Sequence, residues 1–151
     1  MVKRQVNRLV TLPFSRLALR REKISMAQFE LLPIEIQKTV KTHTRDDEEI
    51  KMCFLAGAVL LGPEYVVITS KRIIVLDVRN IGSLSQSYVN VKFEVPVSSI
   101  TKIDTNRSFK NKLLGQTNIS IQINGYKHLI NNISNREANR AVELLSSLIA
   151  K

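Results

Sequence analysis

The spacing of apolar and polar positions along this chain changes once, near Ile50. Beyond that point it is a strand pattern. Residues Tyr65–Arg79 read YVVITSKRIIVLDVR, two β-branched runs around a short polar break at Thr69-Ser70-Lys71-Arg72. Val, Ile and Tyr fit a pleated, half-buried surface. The break is too short for a helical crossover, so the two runs should pair as an antiparallel hairpin. Upstream, Met52–Leu61 predicts a first strand, loosened by Gly57, and Gly62-Pro63 turns the chain. Downstream, Asn80–Ser87 reads as a loop. In Val89–Val95 the residues Val89, Val91, Phe93 and Val95 alternate with Asn90, Lys92 and Glu94, which places the four apolar side chains on one face. Pro96 has no amide donor and marks an edge or an end.

A shorter alternation over Ile100–Asp104 predicts another strand, and Asn106–Thr117 reads as a polar, basic loop. Ile119, Ile121 and Ile123 then alternate with polar residues up to Asn124-Gly125. That dipeptide suits a two-residue turn with φ > 0 at both positions. The returning strand, Tyr126–Ile130, would set His128 opposite Ile121 as a packed histidine.

Helical spacing occupies both ends. Ser134-Asn-Arg-Glu137 is a capping box. Ala138, Ala141, Val142, Leu145, Leu148 and Ile149 follow as one stripe. A helix over Asn135–Ala150, about 24 Å long, must cover something, and the open end of a barrel or sandwich is the natural target. Before Ile50, Ser25 and Gln28 predict a short helix over Met26–Leu32. Pro33 suits the first turn of a second helix, with Ile34, Ile36 and Val40 as its apolar side. The polar stretch Thr42–Glu49 ends in four acids, Asp46–Glu49, which read as a linker, with His43 alone and solvated.

Composition adds three constraints. The chain has 151 residues and no Trp, so its core must be aliphatic. The single cysteine, Cys53, sits in an apolar run and reads as a buried small hydrophobe. No stretch reaches ~18 uninterrupted apolar residues, and Leu12–Phe14, set between Arg8 and Arg16, is too short for a signal-peptide core. A cytoplasmic protein is expected.

The net charge of +10 is uneven: residues 1–25 carry +6, residues 26–50 carry −3, and the rest +7. Lys3, Arg4, Arg8, Arg16, Arg20, Arg21 and Lys23 lie among helically spaced apolar residues interrupted by Pro13. Two readings stand: a frayed or docked N-terminal helix with a solvated basic face, or an arm that binds a partner, nucleic acid or a membrane surface.

The segments EYVVITSKRIIVLDVRN, VKFEVPVSSITKID and KNKLLGQTNISIQINGY, followed by the last helix, resemble the bacterial pleckstrin-homology-like (PH-like) domains, in particular the YokE-like group. The motifs are Thr69-Ser70-Lys71-Arg72, Pro96-Val97-Ser98-Ser99-Ile100 and Leu113-Leu114-Gly115. The resemblance covers residues 48–151. It implies a mainly β fold of the α+β class: a PH-like barrel or sandwich of about seven antiparallel strands with a C-terminal capping helix. With the change of period it divides the chain into an N-terminal basic, helical segment, 1–47, and a PH-like domain, 48–151. It also implies a scaffold for protein contact and self-association, up to a homo-oligomer. One departure stands out. Cys53–Glu64, spanning the first interstrand loop, holds no Lys or Arg, so the charge-assisted donors of a phosphoinositide pocket are missing there.

The remaining chemistry is sparse. One Cys and two distant His make no zinc cluster. Neither Gly57 nor Gly62 opens a P-loop, and no nucleophile elbow is present. The sequence predicts no enzyme, no cofactor, no metal and no small-molecule substrate. The one mixed constellation is Arg107, Phe109, Lys110, Lys112, Leu113 and Leu114. Its apolar members either tuck under the barrel or form a contact loop for a partner. An anion-binding role through residues 107–112 and the N-terminal cations is the alternative to a protein-interaction role.

Overall fold

Continuous apolar runs need cover on both faces, alternating runs on one. The computed structural model follows that rule. It describes residues 28–57, 62–82 and 86–151. Strands β1 (Ile50–Ala56), β2 (Glu64–Thr69), β3 (Arg72–Ile81) and β4 (Gln86–Pro96) form one antiparallel sheet in that order. Strands β5 (Lys102–Asn106), β6 (Gln116–Ile123) and β7 (Tyr126–Ser134) form the second. Helix α1 (Ile34–His43) precedes the strands, a short helix α2 (Phe109–Leu113) joins β5 to β6, and α3 (Asn135–Ile149) ends the chain. The sheets approach where the Gly57 amide donates to the Asn131 carbonyl at 2.8 Å.

The inner faces meet around Phe54, Val66, Ile68, Ile73, Val75 and Val95 from the first sheet and Ile119, Ile121, Ile130 and Ile133 from the second. Helix α3 completes this core with Ala138, Ala141 and Leu145. Its N-cap is Ser134, whose Oγ accepts the Glu137 amide at 3.3 Å and donates to the Glu137 carboxylate at 2.9 Å. The Asn124-Gly125 turn has φ of +48° and +82°, as a tight hairpin demands, and it sets His128 opposite Ile121. The His128 ring also lies 4.9 Å from that of Phe93, centre to centre.

The outer face of the first sheet has its own core. Cys53, Val67, Ile74 and Leu76 pack against Phe29, Ile36 and Val40. The central strands are thus covered on both sides, which accounts for the unbroken run Ile73–Leu76. Burial pushes the Cys53 thiol up to about 12.

Several expectations change. Pro33 is the N-cap of α1 rather than its first residue, and Ile34 is exposed while Ile36 and Val40 are buried. Ile149 is 41% exposed, so the stripe on α3 is narrower than its spacing suggests. Strands β3 and β4 run on into the segment expected as the loop Asn80–Ser87. The even alternation over Val89–Val95 is broken by a bulge: Val75 pairs with Phe93, and its neighbour Leu76 pairs with Val91. The extra residue, Lys92, shifts the face. Val89 and Val91 therefore pack outward toward the α1 side, whereas Phe93 and Val95 face the inner core.

Asp46–Glu49 is not a free linker. The Glu48 side chain is 0% exposed and pairs with the Arg72 guanidinium, which also holds Glu94. The Thr69 hydroxyl donates to Glu48 at 3.0 Å and accepts the Arg72 amide at 2.9 Å. His43 is half-buried rather than solvated, with Nδ1 3.0 Å from Glu94 Oε2. Burial alone would raise the Glu94 carboxyl. The hydrogen bonds from Arg72 and His43 outweigh it and hold the group below its ordinary value. The same hydrogen bond to Glu94, ahead of that to Glu48, raises Arg72. One charge network thus ties the end of α1 and the following connection to the β2–β3 turn.

Candidate functional site

The stretch expected as a loop between Asn106 and Thr117 is built around α2. Ser108 caps it, its Oγ accepting the Asn111 amide at 3.2 Å. At the other end Gly115 takes φ +63°, a left-handed conformation that stops the helix. Its carbonyl accepts the Asn135 amide at 3.0 Å, which fixes α2 to the start of α3. Arg107 Nε donates to Thr117 Oγ1 at 2.9 Å, and that hydroxyl donates to Asn135 Oδ1 at 2.6 Å. Asn111 points inward and is 3% exposed.

With Asn111 inward, the other positions face solvent. Phe109 is 79% exposed, Leu113 72% and Leu114 58%. Lys110 and Lys112 are exposed between them. The reading in which these apolar residues tuck under the barrel is therefore replaced: they form an outward tip. Phe109 and Leu113, four residues apart, share one side of it. The structure brings five of the six candidate residues together on this exposed tip, and ties the sixth, Arg107, to Thr117 at its base. The cationic candidates Lys3, Arg4, Arg8, Arg16, Arg20, Arg21 and Lys23 lie outside the described residues.

Near the first interstrand loop, at the start of β2, Glu64 pairs with Lys92, and Asn90 donates to Asp77 at 2.8 Å. The described groups there are carboxylates and their partners, a poor setting for a phosphate. Among the described residues no group of three or more His, Cys, Asp or Glu could hold a metal. No helix among them is long and apolar enough to cross a membrane.

One four-stranded and one three-stranded sheet with a C-terminal helix are the arrangement that the sequence resemblance implies. The family model of the bacterial PH domain matches residues 44–147. The chain belongs to that family. Among solved structures, this bacterial PH domain is similar to a DUF1696-family protein with a pleckstrin-homology domain from Shewanella loihica PV-4. The two are 16% identical, with a TM-score of 0.52 over 79% of this chain and 94% of the other. No curated protein matches the chain. The matched span of the bacterial PH domain includes the whole α2 tip and most of α3, and begins just after α1.

Proposed function

We propose that this bacterial PH domain is a non-catalytic protein-interaction and self-assembly module whose contact surface is the α2 tip. The observation that carries the reading is the exposure of Phe109 and Leu113, at 79% and 72%, on a helix fixed at both ends. Aromatic residues such as Phe are enriched at interfaces, and apolar side chains exposed together rather than singly mark contact sites. PH domains often mediate protein contacts, which favours the same reading. Lys110 and Lys112 beside the tip favour a partner with acidic groups around an apolar recess. The lone cysteine, buried as Cys53, suits a reducing compartment, so we place the protein in the cytoplasm. No phosphoinositide pocket is part of this reading, because Cys53–Glu64 offers no Lys or Arg to hold a phosphate.

The test is capture from a lysate with the full chain and with a Phe109→Asp, Leu113→Asp variant side by side. The reading expects a discrete protein, or further copies of the chain, held by the first and lost by the second. Identical capture by both would sink it. A second reading, anion binding through the N-terminal cations and residues 107–112, draws on the exposure of Lys110 and Lys112. It requires binding to nucleic acid or anionic vesicles that falls steeply with salt.

A further inference from the structure

Among the described residues, the outer core of the first sheet is open at one end. Its rows follow the pairing of β3 with β4: Leu76 lies opposite Val91, and Val78 opposite Val89. Leu76 is fully buried, but Val78, one row further along, is 42% exposed. Beside that row, between α1 and the far end of the hairpin, runs a groove of about 450 Å³, within the size range of binding clefts. Pro33 and Ile36 on one wall and Val78, Tyr88 and Val89 on the other give it an apolar lining. Charge does not choose an occupant, because the one carboxylate of the lining, Glu35, is already paired with Lys38. The course of the chain does. The described residues begin at Gln28, five positions before Pro33. Phe29 is seated in the outer core, and Gln37 Nε2 donates to the Glu30 and Leu32 carbonyls at 3.0 and 2.8 Å. Residues 1–27 therefore leave from a fixed point at the start of the helix that forms one wall. Their first stretch, before Pro13, carries Val2, Val6, Leu9 and Val10 at helical spacing. Residues 13–27 can span up to roughly 50 Å when extended, whereas α1, with ten residues, is about 15 Å long. The first stretch thus reaches the whole groove. A tether of this length also holds it there at an effective concentration of about millimolar, which favours it over any separate chain.

We propose that residues 1–12 of the same chain fill this groove. Val2, Val6, Leu9 and Val10 form the buried stripe of a helix and lie on Val78, Tyr88 and Val89. Arg4 and Arg8 fall on the opposite side of that helix and stay in water. A helix this short owes its stability to packing, so the groove is what orders it. The proposal goes beyond the α2 contact surface and uses none of its residues. It makes the basic N-terminus a docked helix rather than a free arm, and it completes the outer core past the row of Leu76 and Val91.

The experiment is hydrogen–deuterium exchange of the full chain, read by mass spectrometry at low and high protein concentration. Wild type is compared with a Leu9→Asp variant and with a Val78→Arg, Tyr88→Arg variant. In the wild type the amides of residues 1–12 should exchange slower than in an unstructured peptide by roughly tenfold or more, the mark of a docked segment rather than a fraying terminus. The protection should be the same at both concentrations. Either variant should abolish it while β6, β7 and α3 keep theirs. Where the double arginine variant also deprotects β6 and β7, Tyr88→Ser replaces it. Unprotected exchange of residues 1–12 in the wild type overturns the proposal. So does protection that survives the groove variant, since the segment would then dock elsewhere. Protection that appears only at high concentration overturns it too, because the groove would then be filled by another copy. None of these outcomes touches the α2 tip, which the capture experiment tests separately.

Discussion

Replacing Arg72 by Met tests the charge network that joins α1 to the first sheet. Arg72 is 19% exposed at its side chain and pairs with Glu48, which is 0% exposed, and with Glu94, which is 28% exposed. Breaking a fully buried pair costs about 3–5 kcal/mol, mostly from the charge left behind. The partial exposure of Arg72 and Glu94 lowers that to about 2–3 kcal/mol. For a chain of this length the melting temperature should fall by roughly 4–12 °C. Adding Glu48→Gln should restore part of the loss, because the stranded buried charge is gone.

The effect should also depend on pH. The folded state holds Glu94 below its ordinary value of 4.5. A depressed carboxyl contributes stability that is present above the unfolded value and is lost as pH falls through the folded one. The wild-type and Arg72→Met melting curves should therefore converge as pH drops below 4.5. A loss under about 0.5 kcal/mol, the scale of a surface pair, would refute the reasoning, as would a gap between the curves that is unchanged at low pH.

Three further outcomes follow from the packing. Ser134→Ala removes the N-cap of α3 and should cost about 1 kcal/mol, read as a fall of a few degrees in melting temperature. Cys53, 4% exposed and with its thiol pushed up to about 12, should react with a thiol reagent orders of magnitude more slowly than in the unfolded chain. A chain of residues 46–151 is expected to keep both sheets and α3 but to uncover the face that Phe29, Ile36 and Val40 protect. It should melt earlier, label Cys53 quickly and tend to associate, all checked by melting, thiol titration and light scattering.

Much of the barrel was legible because one face of most strands is buried and the pattern has period two. The Asn124-Gly125 turn and the Ser134 capping box each act through local chemistry, so the residues alone specify them. What was not legible depends on partners distant in sequence. The acids Asp46–Glu49 look like solvated linker residues until Arg72 is seen to fold back onto Glu48. His43 looks isolated until Glu94, fifty-one residues away, lies beside it. The unbroken run Ile73–Leu76 did carry a signal for a covered outer face, and the bulge at Lys92 hid its continuation into β4. Periodicity also could not foresee the direction of the α2 side chains. A five-residue helix is too short to show a stripe, and only the inward Asn111 reveals that Phe109, Leu113 and Leu114 face out.

The most direct test of the α2 tip as the contact surface uses the absence of tryptophan from the chain. Phe109→Trp places the sole tryptophan at a position that is 79% exposed in the single subunit. The account predicts solvent-like emission at low concentration. It predicts a blue shift, with quencher protection, as concentration rises into the range where the mass increases, or on addition of a captured partner. Assembly or partner binding with the emission still solvent-like would contradict it, because the tip would then be a bystander.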